Sequence, residues 1–93
     1  MINGSFSDFK DILYYGGEIL FEYEKNDYFI QGWTDDGLCT MVLDNLSQTD
    51  KKGYMWEYSC SKMIDCAERF LNDPIWNGKT FLEIQADVIW KDF

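Results

Sequence analysis

The chain has 93 residues, no histidine, 17 acidic against 8 basic side chains and a formal charge of −9. That balance repels nucleic acid and anionic membrane surfaces and favours basic partners, while the missing imidazole removes Ser-His and Cys-His nucleophile systems and the commonest metal ligand. Seven Phe, four Trp and six Tyr, each able to bury roughly 150–250 Å², supply a single small domain over 1–93 with a core that needs no metal, cofactor or disulfide, although a chain this short buries only about 60–65% of its unfolded surface.

From Ser5 to Tyr15, Phe6, Phe9, Ile12 and Leu13 fall at helical spacing, with Ser5 or Ser7 available as N-cap and Asp8 in the first turn. Gly16-Gly17 ends this helix, because glycine accepts the left-handed backbone of a helix C-terminus. The stretch Gly17 to Glu24 then alternates: Ile19, Phe21 and Tyr23 on one face, and Glu18, Leu20, Glu22 and Glu24 on the other. That is the period of a half-buried antiparallel strand. Lys25-Asn26-Asp27 reads as the polar turn, after which Tyr28 and Ile30 rejoin the apolar face.

A second turn is expected at Thr34-Asp35-Asp36-Gly37, where Asp-Gly readily takes positive φ. Leu38 to Leu43 is apolar on both sides and reads as a third, central strand. Asn45 to Gly53, ending in Asp50-Lys51-Lys52-Gly53, is the longest loop, and Tyr54 to Tyr58 is a fourth strand with Tyr54, Trp56 and Tyr58 on one face. Cys60 to Asn72 is the clearest helix: Cys60, Met63, Ile64, Ala67, Phe70 and Leu71 form one stripe, Ser59 or Ser61 caps its start, and Pro74 stops it. Thr80 and Glu83 have capping-box spacing for a turn or two of helix, and Asp87 to Lys91 returns to strand composition. The order predicts an α+β domain: an antiparallel sheet of four to five strands with an N-terminal helix and a longer helix in the C-terminal half, both on one face.

Motifs that would carry chemistry are incomplete. Glu18, Glu22 and Glu24 could hold a glycosidase-type pair only in a cleft that perturbs them; a solvated strand face is the simpler reading. Asp35-Asp36 with Asp44 lacks the spacing of a calcium loop. In Gly78-Lys79-Thr80 the first glycine of a phosphate-binding loop is replaced by Asp73. Cys39, Cys60 and Cys66 match neither a zinc set nor a redox pair, cannot all pair within one chain, and read as reduced thiols of a cytoplasmic protein. Met1 to Gly4 lacks the features of a signal peptide, and no apolar run reaches the roughly 18 residues of a membrane span. No enzymatic activity is expected.

The informative feature is the outward face of the hairpin. If Ile19, Phe21, Tyr23, Tyr28 and Ile30 face the helices, Glu18, Leu20, Glu22 and Glu24 share the opposite face with Phe29 and Trp33. Carboxylates interleaved with large apolar groups suit docking on a basic partner, with the aromatics as anchors and the acids for steering. The alternative is that a loop or a second copy of the chain covers Phe29 and Trp33.

Phe9 to Leu13, Gly17 to Tyr23, and the closing runs Ile75 to Ile84 and Ile89 to Asp92 together resemble a group of short, acidic proteins of Gram-positive bacteria and their phages and plasmids. The run Gly78-Lys79-Thr80-Phe81-Leu82-Glu83-Ile84 is its most specific part and carries no catalytic residue. The resemblance implies a mobile-element context, in which small acidic proteins neutralise a host nuclease or toxin. It points to an inhibitor of the anti-CRISPR kind, whose carboxylates stand in for phosphates on a basic nuclease or CRISPR effector. An immunity protein or antitoxin, a self-associating subunit such as a homodimer, and a small-molecule module with an aromatic pocket around Tyr54 and Trp56 are the alternatives.

Overall fold

The computed structural model describes residues 1–48 and 53–92. Its elements run α1 (Phe6–Tyr14), β1 (Ile19–Tyr23), β2 (Asn26–Asp35), β3 (Leu38–Asn45), β4 (Trp56–Cys60), α2 (Met63–Asn72), α3 (Phe81–Ile84) and β5 (Ile89–Asp92), with a single 3-10 turn at Gln85–Asp87. The strands form one antiparallel sheet in the order β4-β3-β2-β1-β5, and the helices pack on one of its faces. The expected α+β arrangement is therefore the observed one.

Two tight turns set the register. Glu24 and Lys25 both take positive φ, 49° and 69°, and close a two-residue turn in which Tyr23 pairs with Asn26. Asp36 and Gly37 do the same at 50° and 79°, so Asp35 pairs with Leu38. Turns of this mirror-image kind match the twist of the strands they join. The first turn thus lies one residue earlier than the expected Lys25-Asn26-Asp27, because Asn26 and Asp27 are taken into the long strand β2. Phe21 still pairs with Tyr28 and Ile19 with Ile30, so both strands keep the expected apolar face.

The end of α1 is seated on the sheet through two glycines. Gly16 closes the helix at φ 74°, and its carbonyl accepts from the Gly32 N–H at 3.1 Å. A Cβ on Gly32 would lie 2.8 Å from Met63 Sδ and 3.1 Å from Gly16 Cα, so no side chain fits where α1, β2 and the start of α2 converge. Ser5 caps α1 by accepting from the Asp8 N–H. Tyr14 Oη donates to Glu68 Oε1 at 2.6 Å and joins α1 to α2. At the other end of α2, Asp73 accepts from Arg69 Nε at 2.8 Å and from Trp56 Nε1 at 2.9 Å, tying the helix to β4.

Several boundaries differ from expectation: β3 runs on to Asn45 rather than ending at Leu43, and β5 begins at Ile89 because Asp87 closes the 3-10 turn. Strand β4 covers Trp56–Cys60 rather than 54–58, since Trp56, Tyr58 and Cys60 continue the inward face opposite Leu43, Met41 and Cys39. Tyr54 lies outside the strand and is exposed. Helix α2 starts at Met63, with Lys62 at the N-cap position and no side-chain cap, so neither Ser59 nor Ser61 serves there. Cys60 belongs to the strand, not the helix stripe. This placement also corrects the reading of three reduced thiols: Cys60 at the end of β4 and Cys66 in α2 form a disulfide across a Cα separation of 6.2 Å, within the range a cystine spans, leaving Cys39 as the buried free thiol. A count of three obscures one strand-to-helix bridge. The Asp50-Lys51-Lys52 part of the expected loop lies outside the described residues.

Phe81 is the hub of the core. Thr80 accepts from the Glu83 N–H and Glu83 returns a bond to the Thr80 N–H, the expected capping box, which fixes α3 so that Phe81 points inward. Its ring centre lies 4.9 Å from Phe9, 5.2 Å from Phe70, 5.5 Å from Phe21 and 5.7 Å from Trp76. One ring thereby joins α1, α2, the sheet and the 75–79 turn. Beside it, Tyr23 and Tyr28 are buried on the inward face. Burial pushes both phenols above their ordinary value of 10.0. The Glu24 carboxylate adds to this at both, and the Trp76 indole opposes it at Tyr28.

Phe81→Ala should cost about 3–5 kcal/mol, a large part of the roughly 5–15 kcal/mol that such a domain possesses. The urea unfolding midpoint should fall by roughly 1–5 M, and Phe81→Leu would retain most of the stability. The tyrosines give a pH dependence of known sign. A raised folded value means that their contribution is complete below the unfolded value of 10.0 and is lost as pH rises through the folded values. Urea midpoints should therefore fall above pH 10.0, and a Tyr23→Phe, Tyr28→Phe double variant should flatten that fall.

Candidate functional site

With the helices on one face, the register assigns the other. Outward positions are Leu20 and Glu22 on β1, Asp27, Phe29, Gln31, Trp33 and Asp35 on β2, Leu38, Thr40, Val42 and Asp44 on β3, and Glu57 and Ser59 on β4. In cross-strand rows, Leu20, Phe29 and Asp44 lie side by side, as do Gln31, Val42 and Glu57, and Trp33, Thr40 and Ser59. The centre is apolar. Val42 is 1% exposed yet stands outside the inward core cluster, Phe29 is half-buried, and Trp33 is 42% exposed. Carboxylates occupy the surround: Glu22 and Asp27 at the hairpin end, Asp35 at the far end, Asp44 along β3 and Glu57 on the edge strand.

Three of the five residues singled out in the sequence meet on this surface. Glu22, Phe29 and Trp33 occupy outward strand positions, and Glu18 is exposed just before β1, outside the paired strand. Glu24 does not join them. It is the first residue of the turn at φ 49°, which breaks the alternation and sends it to the other side, where it lines a cavity of about 290 Å³ with Tyr23, Tyr28, Asn45, Trp76 and Lys79. Tyr54 and Trp56, around which the alternative small-molecule reading placed an aromatic pocket, do not line this cavity. Trp56 instead packs edge-on against Phe70 at 5.5 Å.

The acidic surround is partly compensated at one corner. Lys91 of β5 places Nζ 2.9 Å from Asp27 Oδ1 and 3.2 Å from Glu22 Oε1. Its bonds to Asp27 and then to Glu22 raise the ammonium above its ordinary 10.5, so it stays charged throughout the physiological range. Glu22 is thus half of an ion-pair cluster rather than a free anion. Glu57, exposed on β4 in the row of Val42, presents its charge to solvent.

Sequence reasoning did not place Val42, Asp44 or Glu57 on this surface, nor Asp27 and Asp35. The signal was present in the Asp36-Gly37 pair: a two-residue turn there sets Leu38 opposite Asp35 and fixes which parity of β3 points outward. Among the described residues no group of three or more His, Cys, Asp or Glu side chains is arranged to hold a metal ion, and no helix is long and apolar enough to cross a membrane. What the surface can do is bury an apolar centre against another molecule while its carboxylates meet cations. No family model, curated protein or solved structure matches the chain.

Proposed function

We propose that the chain is a non-enzymatic binding protein that docks its open sheet face on a basic surface of another protein and blocks that surface. The observation that carries this reading is the apolar patch of Leu20, Phe29 and Trp33 over the buried Val42, with exposed Asp35 and Glu57 and the Lys91-paired Glu22 and Asp27 around it. Interface centres gain affinity from aromatic anchors that are fully desolvated on binding, and a rim of like charge steers the encounter and selects a partner of opposite sign. The overall charge of −9 acts in the same direction at longer range.

The same charge argues against a second copy as the occupant, because two such faces brought together would oppose carboxylate to carboxylate. A basic nuclease, with the carboxylates standing in for substrate phosphates, is the partner that agrees with the resemblance to proteins of mobile elements, and inhibition of a CRISPR effector is one form of it. An immunity protein or antitoxin would use the same surface.

Tagged protein should retain a basic protein from a Gram-positive bacterial lysate at low salt and release it at high salt. Glu57→Lys should weaken capture at least tenfold, ~1.4 kcal/mol, and is a cleaner change than Glu22→Lys, which also breaks the pair with Lys91. Asp11→Lys makes the same charge change on exposed α1, in the helical layer, and should leave capture nearly intact. Equal loss in the two variants would reduce the effect to net charge and sink the reading of a specific face.

A further inference from the structure

Resting on that reading, we infer that the partner surface is a cleft built for single-stranded nucleic acid rather than for a duplex. The ground is the outward face of β2, the middle strand, which reads Asp27, Phe29, Gln31, Trp33, Asp35 at every second residue. Each step is about 6.8 Å along an extended strand, so two aromatic rings stand roughly 14 Å apart between two carboxylates, with the acids of β1, β3 and β4 on either side.

A duplex shows a protein its phosphates and keeps its bases stacked inside. A surface that imitates a duplex needs anions in rows, and exposed rings in it would have no counterpart in what a duplex presents. A single strand shows both parts: charged backbone and the flat faces of unstacked bases. Grooves that hold single strands accordingly combine Lys and Arg with aromatic platforms on which bases stack. Trp33, at 42% exposure, and half-buried Phe29 would meet those platforms, and guanidinium groups of the groove would lie over the same rings. The exposed carboxylates Asp35 and Glu57 would take the cations that otherwise hold phosphate, while Glu22 and Asp27 are already paired with Lys91. The amide of Gln31, between the two rings, offers both a donor and an acceptor, as a base edge does.

The test uses the full chain with the protein it retains in the low-salt capture, eluted by a single-stranded oligothymidylate and, separately, by a duplex of the same length. The single strand should release the partner at a concentration at least about tenfold below that of the duplex. Trp33→Ala should lower affinity even where Glu57 is intact, and Trp33→Phe should restore most of it; thermal unfolding of both variants checks that each is folded. Release at equal concentrations by the two nucleic acids, or release by the duplex alone, would overturn the single-strand inference while leaving the docking reading in place; Trp33→Ala binding like the parent would remove the ring as an anchor and overturn both. Absence of any salt-sensitive capture, or recovery of only a second copy of the chain, would remove the docking reading itself and the inference with it.

Discussion

The constraint on which the rest of this structure depends is the strand register set by two mirror-image turns, Glu24-Lys25 and Asp36-Gly37. In a sheet, successive side chains point to opposite faces, and a slip of one residue exchanges them all. Here the exchange would send Ile19, Phe21, Tyr28 and Ile30 into water and drive Glu22, Asp27 and Asp44 beneath the helices. The cost of burying several carboxylates without partners far exceeds the few kcal/mol of net stability of such a domain. Positive φ at Glu24 and Lys25 is unfavourable for residues with side chains, and both adopt it because this register leaves a two-residue link between β1 and β2. Local strain at one hairpin tip is small beside the loss of an entire face.

Given that register, the aromatic core answers a problem of size. A sheet whose middle strand carries a glycine at Gly32, with a helix end seated directly on it, has little depth at that point. Large flat rings fill the remainder. Phe81 reaches Phe9, Phe21, Phe70 and Trp76 from a helix of four residues, which would not persist alone in water. Its capping box and this burial are mutually dependent: the cap aims the ring, and the ring holds the turn against the sheet. The cystine between Cys60 and Cys66 and the bonds of Asp73 attach the two ends of α2 to β4, so the helix that covers the sheet is fixed at both ends.

Much of this was legible in the sequence, and the failures have a common cause. Period-two alternation identified β1 and the inward face of β2, and helical spacing identified α1 and most of α2, because each of these buries one continuous stripe. The boundary between β4 and α2 was misread since Trp56, Tyr58, Cys60, Met63, Cys66 and Ala67 are all inward-facing, and an apolar run that changes period partway through suits either element. The Cys60–Cys66 pairing was missed for the same reason, as it exists only if Cys60 ends a strand and Cys66 lies in the following helix. Glu24 was placed on the wrong side because alternation was carried one residue into a turn. The outward residues of β3 and β4 were hidden by distance along the chain: Val42 and Glu57 are neighbours through cross-strand pairing, which no local pattern in either segment reveals.

The outward face is better understood as two requirements in balance than as an acidic patch. Half-buried Leu20 and Phe29 and exposed Trp33, standing around the buried Val42, form an apolar patch that would invite pairing with any other apolar surface, including another copy of itself. The surrounding carboxylates raise the cost of each such encounter unless the incoming surface supplies cations. Lys91 shows the balance locally, since it draws in Glu22 and Asp27, while Glu57, Asp35 and Glu18 are exposed to solvent. Specificity of this kind depends more on what the rim excludes than on the strength of any one contact. Under the proposed docking, the charge of this protein and its exposed rings would be parts of one device: the rings would supply affinity to a partner, and the acids would decide which partner can approach closely enough to receive it.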